Sequence, residues 1–384
     1  MKSTSHHYDP RESYNDFPSW TQPLLTLISG KPRANTKPLL EITPVHALII
    51  DISKYIIGVG SAVALTEQGG LLYFLLPLSW VLTVNAARSL TSDAHYAGHS
   101  SITGKRTLDK LIGDLLSLSV LAPNMDDYAL PHNRGHHGRG GIGTIEDPDS
   151  GLIRLIGFEM GKPLAWYKLR LLTSLISLRY HFLYTKARLR STLITAPVWR
   201  KAAAIMVYGG IVAAAVSGGW FSIFLLAWLI PILPLYAVSA ALQFPSEHLW
   251  LAPREEEESH RDYFLRVSHG RFFLLPAPES WRDALRWSLG MGHMLFERFF
   301  VCVSILPAHD YHHRHPGSKR WPMEPWLRQK EVDSGIPYTE FYGLKKPTEA
   351  QFAIWSKTPP LQKNKNRTLL SLLENFSPLI KGTK

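Results

Sequence analysis

A chain of 384 residues with 45% hydrophobic, 12 Trp and only 19% charged residues reads toward the membrane-protein end of the range, yet a mean hydropathy of −0.05 calls for long polar parts outside the bilayer. The single cysteine, Cys302, excludes an intrachain disulfide, a cysteine-ligated iron–sulfur cluster and a zinc finger, so any metal must be held by nitrogen and oxygen. The formal charge of +11 suits anionic lipid or an acidic partner, and without any accompanying nucleic-acid motif no nucleic acid is expected.

Residues 1–40 are polar and have no apolar run behind their charges, so they read as a soluble leader and not as a cleaved signal peptide. An apolar segment over about 44–65, weakened by Asp51 and Lys54, leads to a Thr66–Gly70 turn. A second segment over about 70–90 follows, with no charge between Glu67 and Arg88, enough residues to cross a ~30 Å hydrocarbon core. Between Lys201 and Glu247 there is again no charge, room for two more spans at about 202–217 and 220–242 with Ser217-Gly218-Gly219 as the turn. Neither turn holds Lys or Arg, whereas Lys31, Arg33, Lys37, Arg88, Lys201 and Arg254 lie on the opposite side, which the positive-inside rule makes cytoplasmic.

The expected fold is therefore an all-α membrane protein. Four transmembrane helices form two hairpins, both termini are cytoplasmic, and a cytoplasmic helical cap (91–200 and 247–330) holds a histidine-rich two-metal site. The membrane domain spans 41–330, and 331–384 form a polar cytoplasmic tail. Residues 282–306, apolar but carrying Arg282, Asp283, Arg286, Glu297 and Arg298, read as a cap or interfacial helix instead of a fifth span. The basic stretch 151–201 is either a docking face for an acidic partner or positive-inside charge at the lipid surface.

The histidines carry the chemistry. HYAGH places His95 and His99 at i, i+4, and HDYHH places His309, His312 and His313 at i, i+3, i+4, so each set shares a helix face. In HNRGHH, His132 and His136 share a face, while His137 is turned about 100° from His136. Adjacent histidines can thus serve two different ions. All three clusters fall on the same predicted face, whereas His6, His7, His46, His181, His260 and His269 lack such company.

These three motifs resemble the histidine boxes HxxxH, HxxxHH and HxxHH of the integral membrane fatty acid desaturase and hydroxylase superfamily, as do the EDPD segment (Glu146–Asp149) and the order of hairpins and boxes. The resemblance covers roughly residues 45–330. It implies a non-haem di-iron centre, O2 as co-substrate, and ligands His95, His99, His132, His136, His137, His309, His312 and His313. A further ligand is implied at His248, with the adjacent Glu247 supporting the ligands from behind and Asp114 orienting a histidine. The family's Asn four residues before this histidine is Phe244 here, with Gln243 next to it.

The expected activity is insertion of a double bond into an acyl chain that is lipid-, CoA- or carrier-linked. Hydroxylation, ketolation or acetylenation of an alkyl, acyl or carotenoid-like substrate remains the alternative. HPGS at 315–318 echoes a cytochrome b5 haem motif in letters only, so electrons are expected from an external ferredoxin, cytochrome b5 or reductase. A bacterial inner membrane is favoured over the endoplasmic reticulum. A histidine-rich metal transporter would place its ligands inside the spans, and the second, third and fourth spans contain none.

Overall fold

A computed structural model describes residues 9–138 and 141–360; His6, His7 and the tail beyond 360 lie outside the described residues. The chain is mostly helical, and four helices are long and apolar enough to cross a membrane: Pro44–Gln68, Gly70–Gly98, Val198–Ser217 and Phe221–Glu247. A bent pair, Trp281–Val301 and Leu306–Arg314, passes the same test jointly across an 88° break.

Local chemistry sets the ends of these helices. Thr43 caps the first, its hydroxyl accepting from the His46 amide, and Pro44 occupies a first-turn position where no amide hydrogen is needed. The same helix stops at Gly69 and Gly70, both at positive φ (+66° and +60°), a backbone state that costs glycine little. The second helix continues well past residue 90 to Gly98, so His95 rides on a long apolar helix and His99 forms its cap.

The first two helices pack closely along a line of small residues. Ser61 Oγ meets Ser79 Oγ at 2.9 Å, and a Cβ on Gly58 would lie 2.7 Å from Thr83 Oγ1. Lys54, the cation that weakened the first segment, pairs with Asp51 at 2.5 Å and donates to Asn85 and Ser89 of the second helix. The fourth helix is tied in by Trp80 Nε1, which donates to Leu226 O, and by Trp228 Nε1, which donates to Tyr55 OH. The outward faces stay apolar, with Ile49, Ile56, Phe74, Leu78, Ile205 and Met206 all exposed. Large exposed aliphatic faces of this kind suit lipid. The chain is an integral membrane protein.

The polar part is pinned to these helices by buried cations. Arg188 donates to the carbonyls of Val120, Leu121 and Ile232, and Arg200 reaches Asp114, Ser117 and Ala122. Two members of the basic stretch 151–201 are thus consumed inside the protein and offer no docking charge. A short parallel pair, β1 (Gly270–Phe272) and β2 (Glu340–Tyr342), closes the far side. There Arg328 grips Asp310 and Glu340, holding the third histidine box against the rest of the fold.

Candidate metal centre

Each histidine box sits on a different backbone device. His95 lies in the last turn of the Gly70–Gly98 helix and His99 caps it. The second box follows Pro131 and winds as a single π-turn, His132–His136, closed by the His137 amide donating to His132 O at 3.0 Å. Such wide turns recur at functional sites because they re-aim side chains. The third box occupies the His309–Arg314 helix. His248 terminates the fourth long helix in extended conformation and pairs with Ser268 in an isolated bridge.

All nine histidines converge. Ring nitrogens of His95, His99, His132, His137 and His312 lie within 4.8 Å of one another; so do those of His248, His309 and His313, and those of His136, His137 and His313. The nine therefore divide into two neighbouring nests with His137 between them. Adjacent residues split as their rotation about the helix requires: His312 belongs to the first nest and His313 to the second.

The donor set fits metal ions, and three observations carry that fit. His312 Nε2 lies 2.8 Å from His95 Nε2 and 3.1 Å from His137 Nε2, the separation expected of ligands about 2.1 Å from one ion at near right angles. Ring nitrogens of His99, His132, His248 and His313 are buried with no hydrogen-bond partner, which is costly unless a cation takes them up. Burial, reinforced by neighbouring imidazoles, holds His132, His137 and His248 well below the ordinary imidazole value, and His99 at about 4, so these rings stay neutral and ready to coordinate.

Outer contacts orient the rings. His95 Nδ1 lies 2.6 Å from Tyr128 OH. His136 Nδ1 lies 2.7 Å from Asp147 Oδ2, with both side chains buried. Burial alone would lower His136, but the charge and hydrogen bond of Asp147 push it up to about 9. Glu247 Oε1 is 3.9 Å from His309 Nε2, and Glu324 Oε1 is 3.9 Å from His312 Nδ1. Glu324 is itself held by Tyr96 OH at 2.7 Å.

One expected contact is corrected. Asp114 meets no histidine: its oxygens take the Met125 amide, Lys110 and Arg200, so it anchors the start of the Met125–Pro131 helix that leads into the second box. The reason is packing: this face of the Arg106–Ser119 helix lies against Met125, where a Cβ on Gly113 would sit 2.7 Å from Met125 Sδ, and Arg200 closes on Asp114. Asp147 and Tyr128 supply orientation instead. Tyr128 stands at i, i+4 from His132, a spacing visible in the sequence; Glu324 left no such signal. His293 and His315 face outward onto Glu297 and Glu331. Phe244 stacks on Trp250, and both Phe244 and Gln243 line a cavity.

That cavity, of about 290 Å³, opens against His95, His132, His136, His248 and His309 and runs along the inner faces of the second and fourth long helices. Its walls include Thr91, Tyr128, Leu152, Tyr236 and Leu306.

The model of the fatty acid desaturase family matches residues 70–321, well over half of the chain and inclusive of all nine converging histidines. No curated protein matches the chain.

Proposed function

The chain belongs to the fatty acid desaturase family, and on that premise we propose that it is an O2-dependent oxidase holding two iron ions and introducing a double bond into an acyl chain. The single observation that supports this best is the division of nine histidines into two touching nests, with His312 and His313 on opposite sides and His137 shared between them. An all-nitrogen set of this size suits iron and separates this protein from the carboxylate-rich di-iron bundles.

When bound, the iron pair supplies the oxidising power for removing hydrogen from an unactivated C–H bond, given O2 and two electrons from an external ferredoxin, cytochrome b5 or reductase. The protein's own residues do the rest. His99, His132, His137 and His248 present neutral rings, while Asp147 and Tyr128 fix the direction of His136 and His95. A carbon chain bound in the cavity would lie against five of the histidines, which favours one reacting position over many.

The membrane arrangement belongs to the same proposal. The four long helices form two hairpins, the histidine-bearing cap (91–200 and 247–330) and both termini face the cytoplasm, and the membrane domain ends near 330 before a polar tail. The Trp281–Phe296 helix lies in the interface; its exposed Trp281, Leu285 and Leu289 alternate with charges as an interfacial helix requires. Mass spectrometry of lipids from a host expressing the chain tests the reaction. Products lighter by two hydrogens are expected; products heavier by one oxygen would reassign it as a hydroxylase.

A further inference from the structure

A cationic side chain stands in the wall of the cavity without a partner to match it. Arg88 sits seven residues before His95 on the same helix, and Arg88, Thr91, Ser92 and His95 together form one wall of the cavity. Its guanidinium donates to Gln243 Oε1 and lies over the Tyr236 ring at 5.5 Å, while Nε is buried with no hydrogen-bond partner. No carboxylate among the described residues pairs with it. Of the other interior arginines, Arg11 and Arg271 likewise have only neutral acceptors but lie outside the cavity wall, and four are compensated. Arg188 and Arg298 each have three backbone carbonyls, Arg200 has Asp114 with further acceptors, and Arg328 has Asp310 and Glu340. A half-buried cation on a membrane helix with one neutral acceptor is costly unless something anionic joins it.

We propose that Arg88 is the specificity-determining residue of this cavity and receives a carboxylate, so that the substrate is a free fatty acid and not an ester, a thioester or a plain hydrocarbon. This inference rests on the oxidase reading for its consequence but not for its test. Gln243, held by Glu247 through its amide at 2.9 Å, presents its carbonyl oxygen to Arg88 and leaves the remaining guanidinium donors for the ligand. Seven residues at 1.5 Å each separate Arg88 from His95, about 10 Å along the helix, so a carboxylate held there puts a mid-chain carbon beside the histidines.

The experiment is competition binding to the full-length purified protein, with hexadecanoate, methyl hexadecanoate, hexadecyl phosphate and hexadecane as probes. Wild type is expected to bind hexadecanoate at least about tenfold more tightly than the ester or the alkane. Arg88→Gln should weaken hexadecanoate by about 10- to 100-fold, the value of one charge-assisted buried contact, and leave the ester and alkane unchanged. Gln243→Glu keeps the arginine but supplies a carboxylate of its own, and should remove the preference equally. Equal binding of acid, ester and alkane to wild type would overturn the proposal, as would a preference that survives both variants. Tighter binding of the alkyl phosphate would overturn the carboxylate assignment. Arg88-dependent acid binding without any lipid product would sink the oxidase reading alone; equal turnover of ester and acid by wild type would sink the carboxylate proposal alone.

Discussion

His136 Nδ1 and Asp147 Oδ2 meet at 2.7 Å in a fully buried contact, and this pair fixes which nitrogen of His136 faces the metal nests. The carboxylate accepts Nδ1–H, so Nε2 is left for coordination. Asp147 Oδ2 also accepts from the Gly143 amide at 3.1 Å, and Oδ1 accepts from the Asp149 amide, so the acid is itself held rigid by its own loop.

Removing that acid should therefore weaken the metal without dismantling the fold. Asp147→Asn is expected to lower metal affinity by about 10- to 100-fold, the usual scale for an orienting partner. Competition with a chelator measures it; unchanged affinity would mean that the contact orients nothing.

The two nests should be separable by mutation. His99 belongs only to the first and His248 only to the second. His99→Ala and His248→Ala should each lower the metal content to about half of wild type and reduce turnover by at least about 100-fold. Complete loss of metal in either variant would indicate a single cooperative site.

The metal-free protein should be acid-labile. His99, His132, His137 and His248 are held below the ordinary value of ~6.5, so the unfolded chain binds more protons once the pH drops beneath it, and stability is lost from about pH 6.5 downward toward 4. His136 has the opposite sign. Its contribution is complete below ~6.5 and disappears as the pH rises through about 9, so it offers no relief on the acid side. Thermal unfolding of the chelated protein at pH 7.5, 6 and 5 should show a falling midpoint, and a flat profile would contradict the burial of neutral imidazoles.

Packing of the first two helices gives a stability test remote from the metals. A Cβ on Gly58 would press on Thr83 at 2.7–3.0 Å, whereas nothing lies within 4 Å of Gly60. Gly58→Val should cost about 1–3 kcal/mol as overpacking, and Gly60→Val much less. Denaturation of both variants in detergent measures the difference; similar losses would mean that the close approach at Gly58 is not limiting.

What the sequence made legible was what local periodicity encodes. Spacings of three and four residues put His95 with His99, and His309 with His312, on single faces, and uncharged runs marked the long helices. The one-step rotation between His136 and His137 already turns their rings apart, and their planes stand at 83° to each other. Contacts made by chain reversal were not readable. Asp147 reaches His136 only because the chain after the π-turn folds back, and Asp114 resembled an orienting acid while its helix turns it toward Met125 and Arg200. Charges were the least informative. Arg188 and Arg200 looked like surface charge and are buried, and Arg88 looked like a membrane flank and faces the cavity.

Metal analysis of the detergent-purified chain, expressed in iron-replete medium, tests the central claim most directly. The proposed di-iron reading predicts about two iron ions per chain, one for each histidine nest. Protein that carries no iron, or zinc alone, would contradict the di-iron account.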